Sequence, residues 1–235
     1  MYAKYLKRFF DFVLSLCALI VLSPLLLILV IVGSVAMKGN PFFIQPRPGR
    51  IDPKTGEEKI FKLIKLRTMD NRCDEQGKLL SDEERLCAYG RFLRATSLDE
   101  IFSLWNILKG DISIVGPRPQ LVRDMVFMTS EQRRRHTVRP GLTGLAQVNG
   151  RNNMLWEKKF EYDLLYISDI SLLGDIRIIL KTVVKVLQRD GISAEGMATA
   201  MDYGDYLLEK GEIDSAYYEE KQEEARKLLR VYRNE

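Results

Sequence analysis

Ser97-Leu98-Asp99-Glu100 places two adjacent carboxylates, and a Ser three residues before a Glu, directly ahead of the apolar positions Ile101, Phe102, Leu104, Trp105 and Leu108. That pattern predicts a capping box opening a helix, with Asp99 in the first turn. There the macrodipole and the unpaired backbone N–H groups favour an ionised carboxylate, by about 0.3–1 kcal/mol when exposed. A carboxylate so held can serve as a nucleophile or a Mg²⁺ ligand; the plainer alternative is that both acids decorate a helix N-terminus. Gly116-Pro117-Arg118-Pro119 supplies the opposite charge. Two prolines fix the backbone around Arg118, which suits a bidentate phosphate or a uracil edge, or else a salt bridge on a rigid surface turn. In Arg139-Pro140-Gly141-Leu142-Thr143-Gly144 and Asn149-Gly150-Arg151, glycines allow a loop to approach an oxyanion that Arg139 or Arg151 could neutralise. Arg133-Arg134-Arg135 has the pattern of a solvated face, and His136 that of a structural or exposed residue.

The elements that must position these groups begin with an apolar segment. Phe12 to Met37 is 26 positions without a charge, more than the roughly 20 residues that cross a bilayer core as a helix. It lacks the short core and small-residue cleavage site of a signal peptide. Lys4, Lys7 and Arg8 precede it and Lys38, Arg47 and Arg50 follow, so positive charge favours neither flank. Ser23-Pro24 interrupts the run, and the arms Phe12–Leu22 and Leu25–Met37 would rise only about 16 and 20 Å as helices. A bent helix that enters and leaves one leaflet fits, with Ser23 satisfying part of the freed backbone; a straight span with a tolerated proline fits equally well.

Beyond the anchor, Phe42-Phe43-Ile44 reads as a short strand ended by a proline-rich turn, Gln45 to Gly49. Asp52 to Glu58 reads as a turn, Ile60 to Met69 as a strand, Asp82 to Leu93 as a helix and Ile112 to Val115 as a strand. Asp175 to Gln188 is a basic amphipathic helix, suited to the headgroup plane or to covering a soluble core. Asp214 to Glu235 is a charged, exposed or partner-packing helix. The net charge of +4 conceals an excess of +8 before residue 201, which suits phosphates or anionic headgroups. Cys17, Cys73 and Cys87 have no CxxC spacing and read as free thiols. There is no internal repeat and no glycine-rich phosphate loop of the GxxxxGK[ST] or GxGxxG type.

In order and spacing, Ser23-Pro24, Gln45-x-Arg47-x-Gly49, Phe61-Lys62-x-x-Lys65-x-Arg67-Thr68-Met69, Arg94-x-x-Ser97-Leu98-Asp99-Glu100, Trp105-Asn106-x-Leu108-Lys109-Gly110-Asp111, Gly116-Pro117-Arg118-Pro119 and Arg139 to Arg151 resemble one family. It is the bacterial sugar transferases, or monotopic phosphoglycosyl transferases, and the resemblance covers about residues 1–190. The resemblance implies transfer of a sugar 1-phosphate from a UDP-sugar to polyprenyl (undecaprenyl) phosphate, with UMP released and Mg²⁺ required. Asp99 would be the nucleophile of a covalent phosphosugar intermediate and a Mg²⁺ contact, with Glu100 its partner in metal or proton handling. Arg94 would bind phosphate, Pro117-Arg118-Pro119 the uridine end, and Lys62, Lys65 and Arg67 are candidates for phosphate or headgroup contact.

The expected architecture is helix-rich α+β: a re-entrant membrane anchor over 1–38, amphipathic interfacial helices, a small cytoplasmic catalytic domain over 39–195 and a charged helical tail over 196–235. The implied location is the cytoplasmic face of a bacterial inner membrane. A homodimer and downstream glycosyltransferases are further candidate partners, and nucleic acid is not one. Two departures stand out: Ile101-Phe102-Ser103 replaces a usual Leu-Pro-Gln, and Leu145 replaces an aromatic after Thr143-Gly144. The competing functions are a catalytically idle membrane scaffold and a surface-binding module for anionic lipid or nucleic acid.

Overall fold

A computed structural model describes residues 1–150, 154–188 and 201–234. A π-helical turn, Tyr2–Leu6, leads into helix α1, Lys7–Ala36, which runs without a break through Pro24. Proline removes one N–H and so frees the carbonyl of Ile20, and the Ser23 hydroxyl donates to that carbonyl at 2.8 Å. The side chains in the middle of α1 project outward, with Ile20 64% and Val21 76% exposed. Both ends are gripped. Arg8 donates to the carbonyls of Ile107 and Leu108, and Asp11 accepts from the Ser113 hydroxyl at 2.7 Å and from Ile114 N–H at 3.0 Å. Toward the other end Leu29 packs with Leu66 and Leu93, and its carbonyl accepts from the Tyr89 hydroxyl at 2.7 Å.

Strands β1, Phe42–Ile51, and β2, Glu58–Leu66, form an antiparallel hairpin. The expected proline-rich turn is therefore strand: Pro46 lies opposite Lys62 and Pro48 opposite Ile60. These are alternate residues, so their nitrogens face the same way, and among the described residues β1 has no third strand whose ladder they would interrupt. The other edge of β2 is covered by α4, Ser103–Lys109. Buried Asn106 accepts from Ile64 N–H at 3.1 Å and donates to the Lys62 carbonyl at 2.7 Å, while the Ser103 hydroxyl donates to the Ile64 carbonyl at 3.1 Å. The Ser that stands where a Gln was expected thus completes a sheet edge.

The predicted helix over 82–93 is two helices, α2 (Asp82–Arg85) and α3 (Ala88–Thr96), because Leu86 turns extended and Cys87 caps α3. Strand β3, Ser113–Val115, pairs in parallel with β4, Gly141–Thr143. Between them lie α5 (Val122–Met125) and α6 (Ser130–Arg133), and after them α7 (Leu145–Gly150), α8 (Trp156–Ser168) and α9 (Leu172–Gln188). The C-terminal stretch adds α10 (Tyr203–Glu209) and α11 (Ser215–Asn234). These last two are not loose: Tyr203, Leu207 and Ala225 join Val122, Phe127, Trp156 and Phe160 in one buried cluster. On α9, the apolar stripe Leu173, Ile176, Leu180, Val183 and Leu187 is exposed, while Ile178 packs inward with Val115, Val148 and Tyr166.

Candidate active site

Helix α3 ends at Ser97 in the left-handed region, φ +56°, and the chain turns into a single 3-10 turn over Leu98–Glu100. The predicted capping box is absent: the Ser97 side chain caps nothing, and Glu100 does not reach back to it. The local pattern loses to a tertiary one. Glu100 Oε1 accepts from Lys65 Nζ at 2.6 Å and from Arg118 at 2.7 Å, so a strand and a distant turn both close on this carboxylate. Asp99, by contrast, holds no hydrogen bond or ion pair among the described residues. One acid of the pair is clamped and the other is available.

The Arg118 turn is held from behind. Gly116 N–H donates to the Thr143 carbonyl and Gly141 N–H to the Pro117 carbonyl, both at 2.9 Å. A Cβ on Gly141 would lie 2.1 Å from Gly116 N, and one on Gly144 2.2 Å from Gly116 O, so these glycines admit backbone and not an oxyanion. Arg47 donates to the Pro119 carbonyl at 3.0 Å and to Gln45 at 2.6 Å. Arg135 donates to the Arg118 carbonyl at 2.6 Å and pairs with Asp163 at 2.6 Å, with no exposed side-chain surface. The Arg133-to-Arg135 run is thus a solvated face only in part: Arg134 is exposed and Arg133 half-buried, while Arg135 is buried. Arg133 pairs with buried Glu58, which also contacts buried His136 at 2.9 Å.

These groups line an open cleft of about 920 Å³. Lys65, Arg67, Arg94, Asp99, Glu100 and Arg118 all reach it. Arg94 is steadied by the Thr68 hydroxyl, which accepts from its Nε at 3.2 Å. Pro119 lines a smaller void beside Arg47, Lys65 and Glu100, and Pro117 shapes the turn. Two predicted residues are placed elsewhere. Arg139 donates to the Gly110 carbonyl at 2.9 Å, helping Arg8 cap the C-terminus of α4, and Lys62 lies over the Tyr232 ring at 5.4 Å. Arg151 lies outside the described residues. Sequence reasoning missed Arg135, which supports the Arg118 turn, and Lys159, which also lines the cleft, and gave Arg47 no role beyond its motif. An Arg within a basic run gives no local sign of burial, and only Asp163 on a helix far along the chain decides it.

The electrostatics follow from this packing. Burial and the neighbouring Glu100 charge push the Asp99 carboxyl up to about 6, so it is ionised at neutral pH yet more basic than an ordinary aspartate. Burial alone would raise Glu100 too, but Arg118 and Lys65 outweigh it and hold that carboxyl well below the usual carboxylate range. Among the described residues no group of three or more His, Cys, Asp or Glu side chains converges on one point. A Mg²⁺ ion does not need one, since it takes one or two carboxylates and completes its shell with phosphate oxygens and water. The unpartnered Asp99 carboxylate and Glu100 Oε2, whose contact to Arg118 is 3.4 Å, fit that donor set.

The profile of the family described as bacterial sugar transferase matches residues 2–189. Over 195 residues the chain is 44% identical to an uncharacterized sugar transferase, EpsL, of Bacillus subtilis, covering 83% of this chain and 94% of that protein. It is 35% identical over 207 residues to the undecaprenyl-phosphate galactose phosphotransferase of Salmonella typhimurium, covering 80% of this chain and 42% of that one. It is 38% identical over 192 residues to the UDP-glucose:undecaprenyl-phosphate glucose-1-phosphate transferase of Klebsiella pneumoniae, covering 76% and 39%. The chain therefore spans about two fifths of the length of these last two relatives and nearly all of the first. A clamped Glu beside an open Asp, the Arg118 turn facing them, and a match over residues 2–189 lead to one conclusion: this chain belongs to the bacterial sugar transferase family.

Proposed function

We propose that this protein transfers a sugar 1-phosphate from a UDP-sugar to undecaprenyl phosphate, the first membrane step of a surface glycan pathway. The observation that carries the reading is the division of labour between Asp99, open to the cleft, and Glu100, fixed by Lys65 and Arg118. In the first step an Asp99 carboxylate oxygen attacks the β-phosphorus, the bond to the bridging oxygen breaks and UMP departs, leaving an aspartyl phosphosugar. In the second step a phosphate oxygen of the lipid attacks that phosphorus and returns the Asp99 carboxylate. Lys65 and Arg118, already oriented by Glu100, face charge developing on the transferring group, and Arg94 adds a further cation. Mg²⁺, held by Asp99 and Glu100 Oε2, would neutralise diphosphate charge.

A soluble nucleotide and a lipid must meet at the membrane surface, and the anchor supports that meeting place. A straight span with the catalytic body on one side would let only one end of α1 touch that body. Here Arg8 and Asp11 near the start and Leu29 toward the end all contact it. That arrangement supports a re-entrant anchor, with the apolar stripe of α9 lying in the headgroup plane on the cytoplasmic face of the inner membrane.

The test uses detergent-solubilised protein with Mg²⁺, undecaprenyl phosphate and a panel of UDP-sugars. UMP release that disappears in Asp99→Asn, with membrane association intact, is the expected result. UDP in place of UMP, or substantial turnover by Asp99→Asn, overturns the reading.

A further inference from the structure

Most cations of the cleft are already committed. Lys65 and Arg118 are held by Glu100, Arg47 by Gln45 and the Pro119 carbonyl, and Arg123 by Asp202. Lys159 is different. It lines the cleft from α8, and among the described residues its ammonium has neither an ion-paired carboxylate nor a hydrogen bond. Its ammonium lies 4.4 Å from the centre of the Trp156 ring. That ring is fixed in turn, since the indole N–H donates to the Met201 carbonyl at 3.3 Å.

The acids nearest to Lys159 are spoken for. Asp163, one turn along the same helix, is paired with Arg135 at 2.6 Å, and Asp124 accepts from Leu121 N–H and Tyr203 N–H at 3.0 and 2.9 Å. Burial lowers the Lys159 pKa; the Asp124 and Asp163 carboxylates oppose that shift in part, and the Arg118 and Arg135 charges reinforce it. A partly desolvated ammonium among committed groups is a poor arrangement until an anion enters.

Its place in the fold indicates which anion. Trp156 belongs to the cluster built from α5, α8, α10 and α11, which contains no residue of α1. Arg67, a further cation of the cleft whose side chain has no acidic partner among the described residues, lies on the anchor side: its backbone N–H donates to the Pro41 carbonyl at 2.7 Å, and neighbouring Leu66 packs on Leu29 of α1. We propose that Lys159 is a phosphate-binding residue of the cleft and that its phosphate belongs to the donor nucleotide, not to the lipid. The assignment rests on the transfer reaction proposed above. It also gives the C-terminal stretch a place at the site, because Met201 and Asp202 line the same cleft and Met201 anchors the ring beneath Lys159.

Two measurements on the full chain in detergent test this. In the UMP-release assay, Lys159→Met should raise the KM for the UDP-sugar roughly tenfold or more and leave the KM for undecaprenyl phosphate within about twofold, and Lys159→Arg should recover much of the loss. Separately, in a Trp105→Phe background the remaining indole, Trp156, reports on its own surroundings. UDP should change its emission, and Lys159→Met should move that response to much higher UDP concentration. An unchanged donor KM with an unchanged UDP response overturns the proposal, and so does a rise confined to the KM for the lipid. If no UDP-sugar yields UMP but the emission response depends on Lys159, the transfer reaction fails and the nucleotide site stands. If UDP produces no response in the Trp105→Phe protein, the site itself fails.

Discussion

Glu100→Gln tests the site at its hinge. The substitution keeps shape and removes charge, so the backbone of the 3-10 turn is undisturbed while two charge-assisted contacts, at 2.6 and 2.7 Å, lose their anion. Hydrogen bonds to a charged group contribute about 1.5–3 kcal/mol each. Gln keeps one carbonyl acceptor, and Arg118 is 42% exposed, so solvent screens part of the loss. A net effect of about 2–3 kcal/mol on the positioned cations follows, which is roughly 30- to 150-fold in kcat/KM. The pH profile carries a second, independent signature. In the proposed mechanism Asp99 must be ionised to attack, and burial with the Glu100 charge pushes its carboxyl up to about 6, so wild-type kcat/KM should fall on the acid side near that pH. Glu100 is one of the two causes of that upward shift, burial being the larger. Without the Glu100 charge the acid limb must move to lower pH, so the variant loses rate overall yet resists acid better than the wild type. The assay is UMP release across pH with initial rates at low donor concentration. An acid limb that stays in place, or moves upward, would refute the view that Glu100 sets the basicity of Asp99.

Other expectations concern the scaffold. Burial would raise Glu58, but hydrogen bonds from His136 and Arg133 outweigh it and hold the carboxyl at about 2, below its ordinary 4.5. The stability this gives is complete above the unfolded value and disappears as pH falls through the folded one. Arg133 is 41% exposed, so Glu58→Gln should cost about 2 kcal/mol at neutral pH, with the gap to wild type narrowing below pH about 4 in denaturant titrations. Gly90→Ala would set a Cβ 1.8 Å from the Thr68 carbonyl oxygen, pushing α3 away from the segment after β2 whose Thr68 steadies Arg94. It should lower kcat/KM at least tenfold and reduce the melting temperature, both readable on one preparation.

Much of this molecule can be read from residue order, and its exceptions have physical causes. The uncharged run from Phe12 to Met37 and the proline-braced Arg118 appear in the structure in the roles their composition suggests, as an outward-facing apolar helix and a rigid turn facing the acids. The Ser97–Glu100 pattern misleads because a capping box is a local bargain: Lys65 and Arg118, far away in sequence, offer Glu100 a stronger interaction than the N–H of Ser97 does. Pro46 and Pro48 look like a turn because strand propensity weighs proline without knowing which edge it occupies. Asp11 gives no sign that it reaches Ser113 and Ile114 from an apolar helix, and nothing near Gly141 announces parallel pairing with Ser113. Such contacts exist only once the chain is folded, and short strands of three residues carry too little pattern to foresee them.

The two prolines of β1 have a bearing on how copies of this protein would meet on the membrane surface proposed for it. Proteins confined to a surface meet edge-on far more often than in solution, and a hairpin that pairs with no third strand among the described residues would invite neighbours to add strands wherever its outer edge is uncovered. Pro46 removes a donor from that edge and Pro48, itself buried, lies where the edge is already covered, so copies crowded side by side find an interrupted ladder. Any association of copies on such a surface would thereby be left to side-chain contacts, where specificity can be chosen residue by residue.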